Sequence, residues 1–208
     1  MEADTWLSLL QLGLGWMIYF FLHSALASSQ VKGWVQQHLP ELTPFYRLLY
    51  NLIALAGLAA LLAWQGKIQG PPLWAPGLLS RIAAGGLALM GGLLAWRAMR
   101  HYDLGAFAGL RQTHTHDIDP PENLSRQGLN AYVRHPLYTA TLIFLAAWLL
   151  WSPTVATLVV VVVVLLYLRI GIHFEEKKLI ATYGSAYRDY RARVPMLFPR
   201  LSALRGQS

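Results

Sequence analysis

The stretch Tyr132-Val-Arg-His-Pro-Leu-Tyr138 lies between a long polar segment and two apolar runs, and it fixes where one ends and the other begins. Pro136 predicts a helix start, because proline at a first helical position gives up only an N–H that has no partner there anyway. A helix starting there turns free N–H groups and its positive dipole end toward Arg134, His135 and Tyr138. An arginine fork grips carboxylates, and a tyrosine ring holds an adenine or faces a cation. A plain interfacial loop, with the charges among lipid headgroups and Tyr138 in an aromatic belt, explains the same residues equally well.

Outward from this corner, the chain is a succession of apolar runs too long for a soluble core. Of its 208 residues 55% are hydrophobic, and there is no cysteine. A disulfide framework, a thiolate metal site and a cysteine nucleophile are therefore excluded. The expectation is an all-α integral membrane bundle of about five transmembrane helices with a C-terminal cytoplasmic amphipathic helix, in a single domain over 1–208. Three spans fill residues 1–98, at about Trp6–Ala27, Phe45–Trp64 and Pro76–Trp96. A cytoplasmic loop covers 99–135. A helical hairpin (about Pro136–Trp151 and Thr154–His173) and a site-building tail make up 136–208. Between the first two spans, Lys32, Gln36, Gln37 and His38 read as a polar linker. The recurrence of Gly85, Ala88 and Gly92 at helical spacing predicts a face where a neighbouring helix comes close.

The net charge of +7 is unevenly placed. Arg97, Arg100, Arg111, Arg126 and Arg134 sit in the large loop; Lys177, Lys178, Arg188, Arg191, Arg193, Arg200 and Arg205 follow the last span. The acidic N-terminus Met1-Glu-Ala-Asp has no basic residue and does not read as a cleavable signal. The positive-inside rule then puts the N-terminus outside and the loop and C-terminus in the cytoplasm, with a bacterial inner membrane as the expected location. Anionic lipid accounts for the basic residues, so the bilayer is the expected partner and nucleic acid is not. Oligomeric state is open.

Arg169, His173 and Glu176 lie at i, i+4 and i+7, and charges on one face at a membrane boundary predict a polar cavity. Glu175 points off that face, toward Lys178. The hairpin returns this helix end to the Arg-His-Pro corner. The tail from Ser185 to Val194 reads as a short amphipathic helix with Tyr187, Tyr190 and Val194 on one side. His23, near a span end, is a functional hint or simply a residue reaching for water. His114, His116, Asp117 and Asp119 match no metal-binding spacing and read as a solvated loop, so no metal is expected. A pocket holding cations, carboxylates and aromatic rings suits S-adenosylmethionine; there is no glycine-rich phosphate cradle for ATP or nicotinamide cofactors.

Gly128 to Tyr138, Phe174-Glu-Glu-Lys-Lys-Leu179, Tyr183-Gly-Ser-Ala-Tyr187, Tyr190 and Arg193-Val-Pro195 resemble the C-terminal half of the isoprenylcysteine carboxyl methyltransferase and phospholipid methyltransferase superfamily. Phe21-Leu-His-Ser24, Tyr102-Asp-Leu-Gly105, Gly109-Leu-Arg-Gln112 and Val194-Pro-Met-Leu197 are similar to a narrower bacterial branch of methanethiol S-methyltransferases and NnrU-like proteins. The resemblance implies an S-adenosylmethionine-dependent membrane methyltransferase acting on a small or lipophilic acceptor, a thiol first. A carboxyl or phospholipid amine acceptor is the alternative. A non-catalytic NnrU-like accessory protein or a small transporter is the reading from another class, and the absence of an internal repeat speaks against a transporter. By motif, Gly128, Tyr132, His135, Pro136, Tyr138, Glu175, Glu176, Tyr187 and Tyr190 would hold the cofactor, and Tyr187 to Pro199 would close over it. Arg134 and Glu176 would face the acceptor as the catalytic pair. Periodicity favours Glu176 over Glu175 as the cofactor's carboxylate; the family pattern does not separate them. Thr139-Ala140 stands where a small residue, often glycine, commonly follows the motif's tyrosine.

Overall fold

The computed structural model describes residues 2–68, 70–100, 103–110 and 124–199. The helices among them are α1 (Glu2–Ala27), α2 (Ser29–His38), α3 (Tyr46–Gln65), α4 (Leu78–Met99), α5 (Leu104–Ala108), α6 (Pro136–Trp151), α7 (Val155–Tyr183) and α8 (Ser185–Arg193). Short 3₁₀ turns occupy Pro40–Phe45 and Gly128–Ala131. Four segments are long and apolar enough to cross a bilayer: Ala3–Ala27, Pro40–Gln65, Leu78–Met99 and Val155–Tyr183. The remaining expected span, α6, has 16 residues. That is about 24 Å of helix against a hydrocarbon core of about 30 Å. The segment expected to be a polar linker is helical instead. Ser28 caps α2 by accepting from the Val31 amide, and Val35 is buried, so a local cap and one apolar anchor organise it.

Two compact units emerge, Met1–Leu73 with Tyr102–Pro121 and Thr154–Val163, and Trp74–His101 with Glu122–Pro153 and Val164–Ser208. In the first, α1 and α3 are joined by side chains that find acceptors inside the membrane-spanning length. Tyr19 donates to the Ala54 carbonyl (3.0 Å) and Tyr46 to that of Leu26 (2.6 Å). The Tyr50 hydroxyl lies 3.0 Å from His23 Nε2, so the span-end histidine has a partner on the adjacent helix. Without water, such bonds replace solvation that neither group can otherwise obtain. Leu9, Leu12 and Trp16 of α1 and Ala156 and Val160 of α7 are buried in this unit. Gly109 ends α5 at φ +88 with its backbone against Arg47 and Leu48.

In the second unit α4 packs along α6. Its buried positions are Ala84, Gly91 and Ala98, and those of α6 include Ala140, Leu145 and Ala147. A Cβ on Gly91 would come within 3.3 Å of Ile143 and Phe144. The close-packed face is thus spaced by seven residues through Gly91. Of the face expected from Gly85, Ala88 and Gly92, a Cβ on Gly92 would lie 3.8 Å from Phe144, whereas one on Gly85 meets nothing within 4 Å. Small residues occur on both sides of α4, and only packing against α6 selects one. Ser80 donates to the Leu150 carbonyl at 2.8 Å and ties the far end of the pair.

Candidate functional site

Helix α6 starts at Pro136, as the sequence predicts, and His135 is the residue ahead of it. Both main-chain N–H groups before the helix are taken by the tail. Arg134 N donates to the Pro195 carbonyl (2.9 Å) and His135 N to that of Met196 (3.1 Å). Thr139, one turn into α6, adds a bond from its hydroxyl to the Leu197 carbonyl at 2.7 Å. Residues 194–197 therefore run as a strap across the helix start. Proline explains why: Val194 is extended (φ −103, ψ 127), and Pro195 after it ends α8.

Beneath the strap lies a buried ionic cluster. Arg134 reaches Glu176 Oε1 through Nε (2.7 Å) and Nη2 (2.6 Å), with both side chains 7% exposed. Its Nη1 donates to the carbonyls of Val194 (2.6 Å) and Arg191 (3.2 Å). His135 Nε2 is 3.2 Å from the same Glu176 oxygen. Arg191 Nε lies 3.4 Å from the other one. Glu176 thus has cations or donors on both oxygens, the condition under which a carboxylate is tolerated out of water. Glu175, expected to pair with Lys178, instead brings Oε2 to 3.7 Å from His135 Nδ1 and keeps 43% of its side chain exposed.

The tyrosines of α8 divide. Tyr190 donates to the Asn130 carbonyl (2.6 Å), bracing α8 on the 3₁₀ turn after Gly128. Tyr187 is 1% exposed, and its hydroxyl has no partner among the described residues. Burial, followed by the nearby negative charge of Glu176, pushes its phenol up to about 12. A buried hydroxyl left unbonded costs about 1–3 kcal/mol.

Of the residues singled out by sequence, Arg134, His135, Glu175 and Glu176 come together, and Tyr187 feels the charge of the last. Pro136 is buried at the helix start, and the Tyr138 ring lies tilted against His135 with ring centroids 5.4 Å apart. Tyr132 is half-buried and Gly128 exposed, in the left-handed region at φ 60. Arg169 and His173 are exposed; the buried face of this part of α7 is Leu168, Ile172 and Glu176. Glu176 sits at the edge of two overlapping helical faces, and the apolar one packs. His114, His116, Asp117 and Asp119 lie outside the described residues. Sequence reasoning counted Arg191 only among the basic residues of the closing tail and Thr139 only as the position after the motif's tyrosine, and it gave neither a contact in the cluster. Arg191 stands four residues after Tyr187, hence on its face, which was a usable signal. Thr139 bonds to a main-chain oxygen 58 residues away, and nothing local marks that.

A family model described as phospholipid methyltransferase matches residues 79–186, more than half of the chain and including most of this cluster. The chain belongs to the phospholipid methyltransferase family. Relatives agree along nearly the whole length. A protein of Crocosphaera subtropica named methanethiol S-methyltransferase is 33% identical, over 88% of this chain and 71% of its own. Methanethiol S-methyltransferase 2 of Bradyrhizobium diazoefficiens is 32% identical, over 90% and 72%. A Mycobacterium tuberculosis protein named methanethiol S-methyltransferase is 28% identical, over 88% and 74%. No solved structure matches the chain. This member of the phospholipid methyltransferase family is an integral membrane methyltransferase, which requires a methyl donor and a methyl acceptor.

Proposed function

We propose that the protein transfers a methyl group from S-adenosylmethionine to a small thiol of the methanethiol kind, at the cytoplasmic face of a bacterial inner membrane. The names of its relatives support the thiol, and the basic residues after the last span support a C-terminus inside and an N-terminus outside. The observation that carries the reading is the cluster of Arg134, His135, Glu175 and Glu176 beneath the 194–197 strap.

The groups left over fit the donor. Its amino-acid end needs a cation and an acid, and its nucleoside needs donors and aromatic surface. The unpartnered Tyr187 hydroxyl and the half-exposed Glu175 carboxylate are of those kinds, and the Tyr138 ring beside His135 adds aromatic surface. Gly128, Tyr132, His135, Pro136, Tyr138, Glu175, Glu176, Tyr187 and Tyr190 are the proposed surround. Bound there, the donor supplies a methyl carbon on a cationic sulfur, to which the acceptor sulfur bonds as the old carbon–sulfur bond breaks, the electron pair staying on the donor's sulfur and the thiol proton leaving to water.

For such an in-line displacement the protein contributes alignment and exclusion of water. Arg134 and Glu176 form the acceptor-side pair. Because their polar groups are spent on each other and on the tail, they fix geometry and local field, and do not grip the acceptor. His135 holds the carboxylates apart, and the strap excludes solvent. Headspace detection of dimethyl sulfide, from purified protein in nanodiscs given S-adenosylmethionine and methanethiol, tests the proposal. Product that disappears in Glu176→Ala of verified fold is expected. Transfer to prenylcysteine or phosphatidylethanolamine but not to methanethiol would replace the thiol, and no transfer to any of the three would overturn the reading.

A further inference from the structure

We infer that Arg191 takes the carboxylate of the methyl donor's amino-acid end, beside Glu175 as the acid for its ammonium; this rests on the donor proposed above. The sequence puts Arg134 on the acceptor side, and in the structure Arg134 has no fork to offer a carboxylate. Nε, Nη1 and Nη2 are all engaged by Glu176, Val194 and Arg191, and the side chain is buried. Arg191 is the converse case. It spends only Nε, at 3.4 Å, on Glu176, and its side chain is 50% exposed. Its two Nη groups meet no acceptor among the described residues and form the open half of a guanidinium, the geometry that binds a carboxylate.

Position supports the assignment. Tyr187, Tyr190, Arg191 and Val194 share one face of α8 by spacing, and the two tyrosines are buried. The unpartnered Tyr187 hydroxyl is on that face, one turn before Arg191. Arg188 and Arg193 leave the helix elsewhere and are exposed, and Arg193 bonds its own helix at the Asp189 carbonyl. Arg191 is also held from both ends. Its carbonyl accepts from Arg134 and its Nε faces Glu176, so its free half is aimed before a ligand arrives. Such preorganisation lowers the ordering cost of binding.

The test is calorimetric titration of full-length protein in nanodiscs with S-adenosylmethionine and with decarboxylated S-adenosylmethionine, which lacks the group in question. Wild type should prefer the intact donor. Arg191→Gln should weaken the intact donor about ten- to hundredfold, as loss of a charged hydrogen-bonded contact does, and leave the decarboxylated one unchanged. Arg191→Lys should keep part of the preference, and Arg188→Gln all of it. Equal weakening of both ligands by Arg191→Gln would mean that Arg191 acts only through Glu176, and would overturn the inference. So would a wild type that binds both ligands alike, with the donor reading intact. A wild type that binds neither overturns the donor reading and the inference together.

Discussion

Replacing Arg134 by methionine keeps the bulk of its stem and removes four contacts: two to Glu176 Oε1 at 2.7 and 2.6 Å, and two to the carbonyls of Val194 and Arg191 at 2.6 and 3.2 Å. Glu176 is then left 7% exposed, with His135 and a half-exposed Arg191 as its remaining partners. Removing one member of a buried pair costs about 3–5 kcal/mol, because the other charge stays out of water. Arg191 offsets part of this, which places the expected loss near the lower figure, about 3 kcal/mol. For a chain of this length each kcal/mol moves the thermal midpoint by about 2–4 °C, so a fall on the order of 10 °C is expected. The assay is thermal unfolding in detergent for Arg134→Met, Glu176→Gln and the double variant. Neutralising both partners removes the stranded charge, so the double variant should be more stable than Arg134→Met alone. An unshifted midpoint in Arg134→Met, together with lost methyl transfer, would refute the clamp and return Arg134 to direct work on a substrate.

Gly109→Ala should destabilise the protein by about 2 kcal/mol or more in the same assay, since strained backbone and overpacking add: the residue sits at φ +88 and a Cβ would lie 2.5 Å from the Leu48 amide nitrogen. Gly85→Ala, with open space around it, should be neutral or gain up to about 1 kcal/mol of helix propensity. Tyr187, pushed up to about 12, stays a neutral phenol while ordinary tyrosines ionise. A raised acid favours its neutral form in the fold, so its stabilising contribution is complete below the unfolded value near 10 and is lost as pH climbs toward 12. Difference absorbance at 295 nm between wild type and Tyr187→Phe should accordingly show no phenolate from this residue at pH 10. Tyr190→Phe should lower stability by about 1 kcal/mol, the net worth of its bond to Asn130. Tyr187→Phe should not lower it, because that hydroxyl has no bond to lose, and should weaken donor binding instead.

The candidate site was partly legible in the chain. Pro136 announces the start of α6, and the Tyr187–Tyr190 spacing announces the buried side of α8. Arg134, His135, Glu175 and Glu176 stand out because charged residues at the ends of apolar runs are expensive unless something holds them. Periodicity failed at Arg169 and His173. A helix repeat says which residues share a face, and it is silent on what that face meets. Leu168 and Ile172 share a face with Glu176 as well, and they are the residues that found neighbours.

By itself the sequence determined the all-α membrane class, the helix start that Pro136 imposes, and the residue types available for chemistry. These follow from local rules, such as the length of an apolar run or a missing N–H, which need no partner to act. Tertiary structure decided which carboxylate is spent and which remains open, which arginine clamps and which has a free fork, and which glycine of α4 touches a helix. Each depends on groups tens of residues apart, such as Arg134 with Val194 or Thr139 with Leu197. A buried donor or acceptor binds whatever the packed chain brings within about 3 Å of it, and one strand of sequence does not contain that distance.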